Sequence, residues 1–423
     1  MKYIDKYNST IINILFFIFP LSLILGNFFI NLNIFFLCIY PLIFYKKKII
    51  NFKINFFDKI ILIFFSYTFL VLVINFAESY LYDQIFSKFV LNKTFFYFRY
   101  LFLYLILRVL ISQKILKLNL FSLACAVCVT FVSLDIFFQF FSGKNIFGIE
   151  PVNRHYSGVF GSELIAGGYI QKFALFSLFL PFILKKPFFH RTMIQFFLFT
   201  VFSFAIILSG NRMPFILFFV SFFVILFLNK ELRKYIFYIF IIFILSVMLT
   251  YKMSKEFEMN SGNFYKETKN LFKTFFVQDL TGAPAEVWSK PYVTEFHCFK
   301  HIWKKNPIFG GGVRYYRTTE NCNSHPHNYY FEILTDLGII GLSIILFFIF
   351  MLLRKIFVKK NTLFRINLNA LDSKIMPFFI IFFIEFFPLR SSGSFFTTGN
   401  SAVTFIILAI LVSLVSRNKL YNY

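Results

Sequence analysis

Long apolar runs alternate with short polar breaks along this chain, and the lengths of the runs predict its architecture. A hydrocarbon core about 30 Å thick needs about 20 apolar residues per crossing helix. On that ruler about twelve spans are expected, near 10–26, 28–45, 58–76, 95–112, 120–141, 163–184, 192–209, 213–228, 234–251, 328–353, 375–388 and 401–416. The expected fold is all-α, a polytopic membrane protein. The first run, Ile11 to Leu25, passes into Gly26-Asn27-Phe28 without a small-residue cleavage pattern, so it reads as a span and not as a removable signal. Three regions follow: residues 1–251 with nine spans, a long polar loop at 252–326, and residues 327–423 with the last three spans.

The polar breaks are of two kinds. Lys46-Lys47-Lys48, Lys114 with Lys117, Lys185-Lys186 with Arg191, Lys230 with Arg233-Lys234, Arg354-Lys355 with Lys359-Lys360, and Arg417 with Lys419 fall in alternate loops. Lys and Arg are retained on the cytoplasmic side, so these loops and both termini are assigned there. The opposite side receives loops 77–94, 143–162, 209–213, 252–326 and 389–400. Within the longest, Tyr292, Phe296, Phe299 and Trp303 recur at helical spacing. They predict an amphipathic helix from Pro291 to Asn306, lying on the lipid or on the bundle.

Composition agrees with this picture and removes one alternative. The chain is 58% hydrophobic and 15% charged over 423 residues, too apolar for a soluble domain of that length. Its formal charge of +24 is dispersed in clusters between spans. It forms no basic face of the kind that binds nucleic acid. The 72 Phe are read as genome bias.

Four polar clusters share the non-cytoplasmic side: Asn153-Arg154-His155, Ser209-Gly210-Asn211-Arg212, Gly310-Gly311-Gly312-Val313-Arg314 and His325-Pro326-His327-Asn328, with Arg390-Ser391-Ser392-Gly393 as a fifth. One boundary arginine alone reads as a snorkelling anchor. A set gathered beside a histidine points to a cavity for an anion, because guanidinium forks suit phosphate oxygens. His327 is expected in the first turn of the tenth span. There the helix terminus and nearby arginines would hold its ring neutral and able to accept a proton. Glu332 and Asp336 are weaker candidates, the latter without an evident partner. Gly338 and Gly341 are expected to let a neighbouring helix approach. The three glycines before Val313 suit either a phosphate nest or a plain turn. The outer loops hold no Asp/Glu cluster suited to a metal.

Of the five cysteines, Cys125 and Cys128 lie in an apolar run without His or Cys partners and read as packing. Cys298 and Cys322 share the long loop, where a disulfide would close just over twenty residues and contribute on the order of 3 kcal/mol. Sequence alone leaves that bridge open, since its geometry is not readable there.

The pattern His327-Asn328, nine residues, then Gly338-x-x-Gly341, preceded by a long outer loop, resembles the O-antigen ligase and polymerase superfamily of bacterial membrane glycan transferases. Ser209-Gly210-Asn211-Arg212 resembles its small-residue-then-arginine turn, and Asn306-Pro307-Ile308-Phe309-Gly310-Gly311-Gly312 its glycine-rich approach to the site. Arg154 to Gly168, Asp135 to Gly148 and Pro388 to Thr398 add weaker similarity. Leu342-Ser343 stands where ligases often carry two threonines.

The resemblance implies a multi-pass protein of the bacterial inner membrane with its site and its long loop facing the periplasm. It implies transfer of a glycan from undecaprenyl diphosphate to an acceptor hydroxyl, with lipid A-core as the ligase acceptor. His327 would be the base, and Arg212 and Arg314 the diphosphate clamps. Arg154, Arg390, Asn328 and His325 would bind substrate. Neither metal nor other cofactor is expected. Two alternatives stay open: a polymerase joining lipid-linked repeat units, and a non-catalytic transporter of lipid-linked glycan.

Overall fold

A computed structural model describes residues 2–81, 88–152, 155–183, 188–228, 236–253, 291–318, 322, 325–358, 375–390 and 393–417. Helix occupies part of each of the twelve predicted stretches. In chain order the helices are α1 (Lys2–Leu25), α2 (Asn27–Phe44), α3 (Lys46–Ile50), α4 (Phe56–Leu81), α5 (Lys88–Tyr97), α6 (Arg99–Ser112) and α7 (Leu118–Ser142). There follow α8 (Ala166–Ile183), α9 (Phe188–Leu208), α10 (Arg212–Leu228), α11 (Ile236–Met253), α12 (Pro291–Lys305), α13 (Tyr329–Phe357), α14 (Met376–Glu385) and α15 (Thr398–Arg417).

Among the described residues, seven stretches are long and apolar enough to cross a membrane: Lys6–Leu25, Asn27–Phe44, Phe56–Ser79, Lys88–Ser112, Leu118–Ser142, Tyr329–Phe357 and Thr398–Ser416. The protein is thus an all-α, multi-pass membrane protein by length and composition. The described part of α14 has 10 residues. At about 1.5 Å per residue it rises roughly half of a hydrocarbon core. Residues 254–290 of the long loop lie outside the described residues, as does Arg154.

The chain divides into two compact units, one of residues Met1–Leu118, Thr294–Leu371 and Ile381–Tyr423, the other of Asn119–Val293 and Asp372–Ile380. In the first unit α15 is buried continuously from Ser401 to Ser413 and packs along α6 and α2, while α13 packs on α4. A stretch without charge from Ser401 to Ser413, apolar on most of its faces, belongs in such a position. Aromatic rings fill the seams, with Phe405 of α15 at 5.3 Å from Phe65 of α4 and 6.0 Å from Tyr100 of α6. In the second unit α8 packs on α9 and α10, and Phe199 meets Phe222 edge-on at 4.4 Å.

One charged network pins three helices of the first unit. Asp58, at the start of α4, accepts from Arg108 Nε at 2.8 Å and Nη2 at 3.2 Å and from the Tyr104 hydroxyl at 2.8 Å, while Arg108 Nη1 donates to Ser413 of α15 at 2.6 Å. Asp58 and Arg108 are 0% and 3% exposed. Removing one partner of such a pair leaves a buried, uncompensated charge, at a cost of about 3–5 kcal/mol. Asp58→Ala is therefore expected to destabilise the purified protein by that amount in denaturant unfolding, with Asp58→Leu/Arg108→Met recovering most of it. A loss under about 1 kcal/mol in Asp58→Ala would contradict a load on this pair.

Candidate functional site

Asn328, not His327, sets the start of α13. Its Oδ1 accepts from the amides of Tyr330 at 2.9 Å and Phe331 at 3.3 Å, the N-cap pattern that asparagine favours. Its Nδ2 donates to the carbonyls of Pro388 at 2.9 Å and Arg390 at 3.2 Å. Both ends of the Asn328 amide are committed to backbone, so this side chain ties the loop after α14 to the head of α13. The expected place of His327 in the first helical turn is corrected accordingly. It precedes the cap, with φ 49° in the left-handed region that a non-glycine residue enters at a cost.

The His327 ring is partly open to solvent, and its Nε2 lies 3.5 Å from Oε1 of Glu295, whose side chain is 8% exposed. The His325 ring stands 4.1 Å away, centroid to centroid. Burial pushes the His327 pKa below its usual value. His325 is pushed down to about 4, first by burial, then by His327, Arg317 and Arg314. Both rings are neutral near pH 7. For His327 the cause is burial, where the helix terminus and the arginines were expected to act.

The glycine-rich segment is threaded into a break in α13. At Gly338 the helix has φ 64° and ψ −170°. The groups that the break would orphan find partners in residues 307–312. Gly311 and Gly312 donate to the carbonyls of Thr335 at 3.0 Å and Asp336 at 2.8 Å, and Ile339 donates to the Pro307 carbonyl at 3.0 Å. The Tyr67 hydroxyl of α4 adds a bond to the Leu337 carbonyl at 3.0 Å, and Asn75 donates to the Gly310 carbonyl at 3.1 Å. Non-helical backbone at membrane depth survives where protein satisfies it in this way. The amide of Gly310 bonds the Asn306 carbonyl at 3.0 Å, so all three glycine amides are taken and the segment is a turn, not a phosphate nest. Gly338 admits this loop in place of the expected helix, whereas a Cβ at Gly341 would sit 3.3 Å from Tyr67 of α4.

Two buried carboxylates on α13 hold the surrounding loops. Asp336 accepts from the amides of Arg314 at 2.6 Å and Tyr316 at 3.1 Å, which are the partners its sequence context left open. Glu332 accepts from Ser394 Oγ and the Phe395 amide, both at 2.5 Å. Among the described residues no group of three or more His, Cys, Asp or Glu is arranged to hold a metal ion.

The arginines that looked alike in sequence differ in surroundings. Arg314, itself at φ 64°, bonds the Phe396 carbonyl through Nε at 3.0 Å and Nη2 at 2.6 Å, which leaves further donors on its guanidinium. Burial lowers its pKa most, and Arg317 and Arg99 lower it further. Lys93 lies within the field of Arg314, Arg317 and Arg99. A positive cluster of Lys93, Arg99, Arg314 and Arg317 therefore stands at this end of the unit. Three of its members went unnoticed in the sequence because they lie outside the glycine- and histidine-containing clusters.

Arg390 is in a different state. Its Nη1 pairs with Glu385 Oε2 at 2.7 Å, its side chain is 6% exposed, and its guanidinium lies 4.6 Å from the centroid of the Tyr329 ring. Tyr329 donates to the same Glu385 oxygen at 2.8 Å. Burial alone would lower the Arg390 pKa, but Glu385 outweighs it and the value is raised.

The structure thus brings His325, His327, Asn328, Arg314 and Arg390 into one unit. Arg212 begins α10 in the other unit, after Gly210 at φ 70° and Asn211, whose Oδ1 accepts from the Gly167 amide at 3.0 Å.

Helix α12 packs beside the head of α13 in the first unit. The predicted amphipathic helix is present over Pro291–Lys305. Its apolar face packs on the bundle, with Phe299 stacked on Phe331 of α13 at 4.2 Å and Phe299 and Ile302 clustered with Tyr316. Cys298 and Cys322 form a disulfide with Cα atoms 5.9 Å apart. Cys322 is three residues before His325, so the bridge ties the histidine strap to α12.

No curated protein matches the chain. Residues 196–346, from α9 through the break in α13, match the family model described as O-antigen ligase. The His327-Asn328 to Gly341 segment lies inside that match, so this part of the chain is similar to the O-antigen ligase family.

Proposed function

We propose that this protein moves a glycan from undecaprenyl diphosphate to an acceptor hydroxyl on lipid A-core, as an O-antigen ligase of the inner membrane with its site facing the periplasm. The observation that carries the proposal is a neutral, partly open His327 in the same unit as an Arg314 whose guanidinium keeps unused donors amid other cations. His327 takes the proton of the acceptor hydroxyl, whose oxygen forms the new bond to the sugar carbon. The bond from that carbon to the diphosphate oxygen breaks, and its electron pair leaves with the phosphate. Displacement on the face opposite the leaving group inverts the sugar carbon.

Arg314 balances the charge that develops on the leaving diphosphate, the kind of electrostatic stabilisation that accounts for much of enzymatic rate enhancement. His325 contacts substrate, Arg212 of the other unit and Arg154 are candidate substrate contacts by residue type alone, and no metal takes part. Asn328 and Arg390 act one step removed, by holding the head of α13 and the loop after α14. The polymerase reading shares this chemistry and is suggested by Leu342-Ser343.

A deletion strain separates the readings on a lipopolysaccharide gel. Bare core together with accumulated lipid-linked polymer is the expected result. Core carrying a single repeat unit would instead assign the polymerase, and a block in delivery of lipid-linked glycan to the outer leaflet would assign the transporter. The orientation has its own check. Single cysteines placed at His327 and Phe357 are expected to label from the periplasm and from the cytoplasm respectively, and the reverse pattern would dismantle the site.

A further inference from the structure

We propose that Glu295 is a positioning residue that orients the His327 ring and selects its tautomer, an inference that rests on the reading of His327 as the base. Nε2 of His327 faces Oε1 of Glu295 at 3.5 Å, and the glutamate side chain is nearly sealed from solvent. A carboxylate only accepts hydrogen bonds, so it favours the tautomer with the proton on Nε2. Nδ1 is then left as the bare nitrogen that takes the acceptor's proton.

During transfer the proton moves from the acceptor hydroxyl to Nδ1, the Nε2 proton stays against Glu295, and the resulting imidazolium sits beside a negative charge. The ring's orientation is otherwise weakly determined, because His327 lies outside α13 on a strap at positive φ. Glu295 comes from a rigid element. Its helix is fastened by the Phe299–Phe331 stack and by the disulfide at Cys298, one turn further along the helix. Other ionisable neighbours are His325 on the same strap, Arg314 and Arg317, which act on His325, and Tyr316, which lies in the field of Glu295. None of these offers His327 a second carboxylate.

The test uses the full chain purified in detergent, with lipid-linked glycan as donor. Glu295→Gln is expected to lower kcat by at least about 10- to 100-fold, by analogy with the partners that orient metal-bound histidines, with KM for the donor little changed. Without the carboxylate the imidazolium is less favoured, so the acidic limb of the pH profile moves to lower pH. Glu295→Asp restores part of kcat and part of the limb. An unchanged kcat, or a loss of kcat with an unmoved limb, would overturn the proposal.

Because a buried substitution can disturb folding, the wild-type protein supplies an independent measurement. Nitrogen chemical shifts of labelled histidine, assigned with His327→Ala, are expected to find His327 protonated on Nε2 and bare on Nδ1. The opposite tautomer refutes the role of Glu295. Full transfer by His327→Ala would remove the base itself, a failure distinct from that of Glu295.

Discussion

Replacing His327 by alanine is expected to lower glycan transfer by about 100- to 10,000-fold, the range that a positioned general base contributes. The fold should survive, since the head of α13 is capped by Asn328 and the His327 side chain is partly open to solvent. Binding of lipid-linked glycan should survive as well, because the cations stay in place. The measurement is single-turnover transfer from lipid diphosphate to acceptor, alongside a binding isotherm for the donor. A variant that binds but does not transfer assigns the base. One that transfers normally rejects the base, whereas retained transport of lipid-linked glycan without transfer by the wild-type protein would favour the transporter.

The pH profile gives the same claim a sign. On the proposed mechanism the active form of His327 is the neutral one, and burial lowers its pKa from the ordinary 6.5. Transfer should therefore persist below pH 6.5 and fall only as the pH drops through the depressed value. His325 adds a stability effect in the same direction. Its pKa of about 4 in the folded protein lies below the ordinary 6.5, so the unfolded chain binds its proton first. The stability that follows is present above about pH 6.5 and is lost progressively down to about 4.

What was legible in the sequence divides along physical lines. Helix positions follow from run length, and the apolar face of α12 from helical spacing, because both are averages over many residues. The site depends on single contacts that leave no pattern. Asn328 bonds the carbonyls of Pro388 and Arg390, about sixty residues away, and every residue carries a carbonyl. The stretch from Pro388 to Thr398, a minor resemblance in the sequence, supplies carbonyls to Asn328 and Arg314 and lies at the centre of the site. Arg314 and Arg390 both read as boundary arginines. Only the fold shows that Glu385 neutralises one, while the other meets a neutral carbonyl. Glu295 was overlooked because the amphipathic pattern draws attention to aromatic positions, and its meaning depends on a strap 32 residues later in the chain.

The helix break yields the second large effect. Gly338→Ala is expected to abolish transfer and to destabilise the protein by more than the loss of Asp58, although it adds a single methyl group. Two costs combine. The backbone at φ 64° and ψ −170° is a region that essentially only glycine enters, worth about 1–3 kcal/mol for any other residue. The new Cβ would also lie 2.1 Å from the Ile308 carbonyl oxygen, a backbone atom that cannot swing aside. Relief requires residues 307–312 to withdraw, which breaks their bonds to Thr335, Asp336 and Ile339. Each buried group left unmade costs about 1–3 kcal/mol more. Arg314 follows Gly312 by two residues and would move with the loop, so catalysis should fail along with stability. Gly168→Ala is the matched control, because its Cβ would meet nothing within 4 Å and its backbone is helical. Thermal unfolding and transfer measured on both variants decide the matter: a wild-type melting temperature in Gly338→Ala would mean that the loop is not locked into the break.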